Sequence, residues 1–295
     1  MASGNIFVAR PACVLKFTGE DHAEFLQGQG TADLRGGTGL CRYTLWLDHR
    51  GLIHGDGFLL ALDSDAILLV SYATPAGPLK EKFERHIIAD DVEIEDRTGQ
   101  YVLATPTGEE AARALETAAL EEPAGHAFTT SGQCHAFPGR RFKRGGTDLL
   151  LPVETTAFSG WEPLSTGEVE RLRIANAVPL VPQDTSAGGT LLNPVEAALA
   201  SAVSFDKGCY LGQEVVARVR RLGRLSRRLV RFSGDPPAPA PGEALTVGGK
   251  PVGAVSSVAE FPDKFLAMGW LKSRFPDGLN TFDQRTLSVE TVPES

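Results

Sequence analysis

The sequence predicts an α+β protein in which two α+β segments are followed by a small all-β domain. Three observations carry this. Short β-type runs in the first half are joined by connections too brief for a parallel crossover, so neighbouring strands must run antiparallel. Helical patterns sit between these runs instead of alternating one-for-one with strands, which excludes a doubly wound sheet. After about residue 223 helical periodicity disappears and apolar runs alternate with Gly- and Pro-rich turns, as in a small barrel. At 295 residues the chain exceeds one small core, and no internal repeat is visible. The expected division is 1–222, holding two interleaved ferredoxin-like subdomains, and 223–295, the β domain.

Val14 to Phe17 reads as a strand. Thr18-Gly19-Glu20-Asp21 resembles a helix start, a hydroxyl cap with acids in the first turn. Ala23, Phe25 and Leu26 would form the apolar face, and Gly28 would end the helix. Tyr43–Leu47, Gly57–Leu62 and Ala66–Val70 read as strands separated by the turns Asp48-His49-Arg50-Gly51 and Asp63-Ser64-Asp65. Leu79, Phe83 and Ile87 mark a helix, and Val92–Asp96 a further strand. The pattern then recurs: a strand at Tyr101–Thr105, an alanine-rich helix over Glu109–Leu120, and strands near Gln133–Phe137 and Asp148–Val153. Ser165 with Glu168 is a capping box opening a helix that contains Val169, Leu172 and Ile174. Strands of the terminal domain are expected at Arg228–Phe232, Ala244–Val247, Val252–Val258, Phe265–Leu271 and Thr286–Val292, with V-G-G-K-P as a hairpin turn.

Composition narrows the function classes. Hydrophobic residues make up 42% and charged residues 22%, the balance of a soluble globular protein. No apolar run approaches the roughly 18 residues that span a bilayer, and the first residues lack the pattern of a secretory or transit peptide. A cytoplasmic location, without membrane association, is the expectation. A net charge of −8 disfavours stable nucleic-acid binding. Seven arginines between Arg218 and Arg231 occur with no acid among them, either a solvated basic face or a local site for an anionic ligand. The four cysteines (Cys13, Cys41, Cys134, Cys209) contain no C-x-x-C, and neither they nor the histidines show metal-ligand spacing, so no metal site is expected. Cys134 and His135 are adjacent and would point to opposite faces of a strand.

The stretch K-G-C-Y-L-G-Q-E-V-V-A-R, Lys207 to Arg218, concentrates the chemistry. Val215, Val216, Val219 and Leu222 fit one face of a helix beginning near Gly212. Cys209 then lies just before a helix N-terminus, beside Lys207, where free amides and a cation favour a thiolate. Flanking glycines allow close approach of backbone or ligand. A buried small residue at a tight loop-to-helix junction is the competing reading.

K-G-C-Y-x-G-Q-E followed by A-R resembles the signature of the YgfZ family of folate-binding proteins, relatives of the glycine-cleavage aminomethyltransferase (T-protein). G-E-D-H-A-E-F-L-Q-G-Q (Gly19 to Gln29), H-I-I-A-D-D-V-E-I-E-D (His86 to Asp96), Leu172-Arg173-Ile174 with Pro179 and Asp184, and N-P-V-E (Asn193 to Glu196) are similar to further blocks of that family. The resemblance implies an aminomethyltransferase-like, three-lobed fold around a channel for tetrahydrofolate or a one-carbon derivative.

It also implies roles. Glu196, in the P-x-E element, would anchor the pterin, whose N3–H and 2-amino group form a donor pair that a carboxylate accepts. Asp56 and Tyr210 would contact folate, and Arg218 and Arg228 would suit its anionic glutamyl tail. Cys209, Lys207 and Asp56 are the candidate catalytic residues. R-G-L-I-H-G-D, Arg50 to Asp56, keeps a single acid where the aminomethyltransferases carry two, which weakens the case for transferase chemistry. The expected function is that of a folate-binding accessory protein for iron–sulfur enzymes, including tRNA-modifying ones, with iron–sulfur client or assembly proteins as partners. The alternative is an aminomethyltransferase of the glycine-cleavage type.

Overall fold

The computed structural model describes residues 5–63, 65–142 and 145–294, so Ser64 in the Asp63–Asp65 turn and the first four residues read for a leader peptide lie outside the described residues. The chain gathers into two compact units, 1–44 with 56–169 and 45–55 with 170–295.

The first unit begins with β1 (Asn5–Ala9), β2 (Cys13–Thr18), α1 (His22–Gln29), β3 (Cys41–Leu47), β4 (Ile53–Ala61), β5 (Ile67–Ser71), α2 (Ala76–Glu84) and β6 (Glu93–Asp96). Strands β3 and β4 continue into the second unit at residues 45–55. A sheet of order β3-β4-β5-β2-β6 results. Strand β2 pairs antiparallel with both β5 and β6, and β4 with β5. Apart from the edge strand β3, this is the β6-β2-β5-β4 order of a ferredoxin-like fold.

The remaining elements are β7 (Tyr101–Pro106), α3 (Ala111–Thr117), β8 (Thr129–Ser131), β9 (Cys134–Gly139), β10 (Gly146–Pro152) and β11 (Glu162–Pro163). They form a second sheet, ordered β11-β1-β7-β10-β9-β8. The ferredoxin-like order recurs as β1-β7-β10-β9. Here, however, the fourth strand is β1, which precedes the others by about a hundred residues and pairs antiparallel with β7, Ile6 opposite Pro106. The two sheets share one core: Val14, Phe58, Leu68 and Val70 of the first pack with Leu103, Phe137 and Leu150 of the second. Fully burying one such side chain contributes about 1.5–3 kcal/mol.

Several expectations need adjustment. Helix α1 continues through Gly28 to Gln29, and its buried face is His22, Phe25 and Leu26, whereas Ala23 is exposed. His22 is held there by its Nδ1, 2.7 Å from the Gly19 carbonyl. Helix α2 ends at Glu84, so Ile87 falls beyond it, while Leu79 and Phe83 are buried as expected. Helix α3 is shorter than the alanine-rich run that predicts it. Ser165 and Glu168 do form the capping box: the Ser165 amide donates to Glu168 Oε2 (2.8 Å) and the Glu168 amide to Ser165 Oγ (3.3 Å). It opens α4 (Thr166–Ala175).

The second unit contains α5 (Gln213–Leu222) and β12 (Arg227–Gly234), β13 (Ala244–Val247), β14 (Lys250–Glu260), β15 (Phe265–Lys272), β16 (Gly278–Thr281) and β17 (Thr286–Thr291). The strands make one antiparallel, curled sheet of order β13-β14-β15-β12-β17-β16, a half-barrel that leaves β13 and β16 as edges. Val230, Phe232, Val255, Phe265 and Leu287 fill its concave side. Gly248 and Gly249, with φ of 58° and 72°, make the expected two-residue hairpin turn. The polar strand β16 lacks the apolar alternation that would reveal it in the sequence.

Candidate functional site

The signature stretch lies in the second unit. Helix α5 starts where expected, with Gly212 at its N-cap and a φ of 84°, so that Cys209 sits in the loop just before it. A β-carbon on Gly212 would stand 2.5 Å from the Asp48 carbonyl oxygen, and Gly51 faces it with a φ of 70°. Two glycines thus let the signature loop close onto the 48–51 turn. Gln213 bends back to accept the Tyr210 amide at 3.4 Å. The Cys209 thiol is exposed, while Lys207 is buried with its Nζ 5.4 Å from the centre of the Tyr210 ring. The buried Tyr210 hydroxyl has no hydrogen-bond partner among the described residues, and burial pushes its pKa up to about 12.

Glu196 is in the same unit, in a turn. It is 5% exposed. Its Oε1 accepts from Ser226 Oγ (3.1 Å) and Arg227 Nε (3.2 Å), and its Oε2 from the Asn193 amide (3.2 Å). A carboxylate offers about four lone-pair sites, so the ion pair with Arg227 leaves room for a ligand donor. Arg228 points elsewhere: it donates to Asp277 (2.9 Å) and Thr291 (2.8 Å). Arg231 pairs with Glu290 and Arg220 stacks 3.9 Å from Phe205, whereas Arg218 is exposed on α5. The basic run thus divides into paired strand residues and a solvated helix face.

The second unit also holds a buried charge network. Arg173 Nη1 donates to Asp184 at 2.6 Å and to the Val178 carbonyl at 2.8 Å, and Nη2 to Glu170 and Ser257. Ser256 and Ser257 also donate to Asp184. The group ties α4 and the following loop to β14.

Asp56 is in the first unit. It is buried and accepts from Tyr43 (2.7 Å), Ser71 (3.0 Å) and Thr74 (2.9 Å) hydroxyls. Burial raises its pKa, opposed by the Tyr43 bond and by the charge of Arg140. Asp148 repeats the theme: it is buried, accepts from Tyr72 and Thr105, and has a raised pKa through desolvation. Nothing in the sequence analysis pointed to Tyr43, Ser71, Thr74 or Asp148. Tyr43 lies on β3, Ser71 ends β5 and Thr74 is in the bend that follows it, and the fold brings them around Asp56 of β4.

Residues 11–135 match the family model described as the GCVT N-terminal domain. Over the whole chain the fold is that of the glycine cleavage system aminomethyltransferase T from Bartonella henselae, with a TM-score of 0.79 covering 99% of this chain and 85% of that one at 20% identity. An aminomethyltransferase from Pelodictyon phaeoclathratiforme is 31% identical over 72% of this chain and 62% of its own length. The tRNA-modifying protein YgfZ from Vibrio vulnificus is 28% identical over 77% of this chain and 69% of its own. The human mitochondrial iron-sulfur cluster assembly factor IBA57 is 34% identical over 38% of this chain and 37% of its own. The chain spans about three fifths of the length of the longer curated relatives it matches. Fold and sequence thus define a GCVT-domain protein. Within that class, with K-G-C-Y-L-G-Q-E beginning at Lys207, the chain is a YgfZ-type relative of the aminomethyltransferase.

Proposed function

We propose that this chain binds tetrahydrofolate, or a one-carbon derivative of it, and serves as an accessory protein in the assembly or maintenance of iron–sulfur enzymes, tRNA-modifying enzymes among them. The observation that carries the reading is a buried, incompletely used acceptor and donor in one unit. Glu196 keeps about one acceptor site free beside its three bonds, and the buried Tyr210 hydroxyl lacks a partner among the described residues. A buried polar atom without a partner calls for a ligand or water. In this reading Glu196 accepts the pterin's N3–H and 2-amino donors, one at its open site and one in place of the Ser226 hydroxyl, and Tyr210 adds a further contact; the role of Asp56 as a folate contact is assigned from the resemblance alone. The exposed Arg218 suits the glutamyl tail better than Arg228, whose donors are already engaged. Bound folate would supply a carrier for one-carbon units.

The names of the YgfZ and IBA57 relatives support the link to tRNA modification and iron–sulfur assembly. Cys209, exposed and two residues from the buried Lys207, is the residue through which redox chemistry or client contact would run. One thiol cannot hold a cluster alone, so the role assigned to it is transient. In functional terms residues 1–222 are the folate-binding region and 223–295 the β domain. A cytoplasmic setting suits this reading, and among the described residues no helix is long and apolar enough to cross a membrane.

One feature favours the alternative, a folate-dependent aminomethyltransferase. Burial raises the pKa of Asp56, and a protonated carboxyl is what donation to a folate nitrogen requires. Calorimetric titration with tetrahydrofolate, coupled to an aminomethyl-transfer assay on the same sample, separates the readings. Saturable binding without turnover is expected. Turnover would establish the transferase, and absence of binding would overturn the folate reading altogether.

A further inference from the structure

Two adjacent arginines in the first unit have no role in the folate reading. Arg140 and Arg141 follow β9, in the stretch F-P-G-R-R-F. Arg140 is 8% exposed and its guanidinium lies 4.1 Å over the Tyr43 ring. Arg141 lies 4.3 Å over the Tyr72 ring and 5.1 Å over Phe7, and donates through Nε to Thr105 at 3.1 Å. Both tyrosines pack on one ring, Phe58, at 5.1 and 5.4 Å, so the two cations belong to one aromatic cluster.

Several of their donors are not used. Nε and one terminal nitrogen of Arg140, and one terminal nitrogen of Arg141, are buried without a partner among the described residues. The acids near them are already engaged. Asp56 takes three hydroxyl donors, Asp148 takes Tyr72 and Thr105, and neither forms an ion pair with these arginines among the described residues. The charges of Asp56 and Asp148 act on Arg140 and Arg141, but those N–H groups stay unbonded among the described residues. A buried donor left without an acceptor costs its full desolvation penalty. A planar guanidinium with an open N–H edge matches a carboxylate or phosphate in paired hydrogen bonds.

We infer that Arg140 and Arg141 form an oxyanion seat that takes the carboxylate or phosphate group of a small ligand. The stacked rings of Tyr43, Tyr72 and Phe7 fix the guanidinium planes, and the free N–H groups supply the donors. The seat stands on its own residues, and its existence does not depend on folate binding.

The test uses the full chain with sodium phosphate and sodium glutarate as probes, against sodium chloride at equal ionic strength. Thermal unfolding and calorimetry are the readouts. A saturable rise in melting temperature with at least one oxyanion, absent with chloride, is expected, and the probe that gives it identifies the oxyanion class. Arg140→Gln and Arg141→Gln should each weaken binding by about tenfold or more, while Arg113→Gln, on α3, binds like the parent. If Arg140→Gln does not fold, Arg141→Lys decides: it keeps the charge but loses the planar fork, so weaker binding is expected. No oxyanion-specific effect on the parent protein, or undiminished binding by the folded Arg141 variants, would overturn the inference.

Discussion

Arg173 and Asp184 form an ion pair at 2.6 Å whose side chains retain 3% and 0% of their exposure. Such a pair is weak evidence for net stability, because desolvation offsets much of the attraction. Breaking it is another matter, since the remaining charge stays buried. Arg173→Ala is expected to lower the unfolding free energy by about 3–5 kcal/mol, measured by urea denaturation. A loss below about 1 kcal/mol would show that water or a rearranged side chain rescues Asp184.

Glu196→Gln keeps the shape of the side chain but removes its charge. Its partner Arg227 is one-third exposed and can rehydrate, so the fold should persist. Tetrahydrofolate affinity should fall by about 2–5 kcal/mol, the usual cost of removing one member of a charged pair. An unchanged dissociation constant would remove Glu196 from the ligand site.

The thiols separate by exposure. Cys13 and Cys41 are buried, and desolvation pushes both well above the ordinary thiol range. Cys209 is exposed. Titration of the native protein with a chromogenic disulfide reagent should label Cys209 in the fast phase, and Cys13 and Cys41 only on unfolding. Cys209→Ser should abolish that fast phase. Its survival in the variant would place the reactive thiol elsewhere.

His135 is buried, its Nδ1 has no partner among the described residues, and burial lowers its pKa to about 4 from an ordinary 6.5. A base with a depressed folded value contributes stability above its unfolded value and loses it as the pH falls through the folded one. The stability difference between the parent and His135→Leu should therefore shift against the parent between pH 6.5 and about 4. The full shift is about 3 kcal/mol, from roughly 1.4 kcal/mol per pH unit. A pH-independent difference would mean that the imidazole takes its proton without unfolding.

Gly212→Ala combines a left-handed backbone with a β-carbon 2.5 Å from the Asp48 carbonyl. A destabilisation of about 1–3 kcal/mol is expected, with faster proteolysis of the loop that carries Cys209. Unaltered stability and proteolysis would show that the 48–51 turn yields freely.

Much of this was legible in the sequence. The antiparallel first sheet followed from short connections, the Gly248–Gly249 hairpin from its turn chemistry, and the start of α5 from valine spacing and Gly212. The K-G-C-Y-L-G-Q-E signature pointed to the family in a way that no periodicity could. What stayed hidden depends on long-range pairing. The Arg227–Glu196 contact joins residues 31 apart, and the Thr105–Asp148 contact residues 43 apart. The R-R doublet at 140 and 141 was visible, but only the Tyr43 and Tyr72 rings distinguish it from an ordinary charged loop. The burial of His22 was not legible, because local spacing does not reveal that Gly19 offers its carbonyl.

Strand β1 sets an order of events during synthesis. Asn5–Ala9 leaves the ribosome before the rest of its sheet: its ladder partner β7 begins only at Tyr101 and the last strand, β11, ends at Pro163. The first sheet can close on itself while the nascent chain grows, with β1 waiting unpaired at its front. The second cannot complete its fourth place until that waiting segment folds back across the delay. A tag or fusion that stiffens the approach to Asn5 would therefore be felt first in a sheet encoded a hundred codons later.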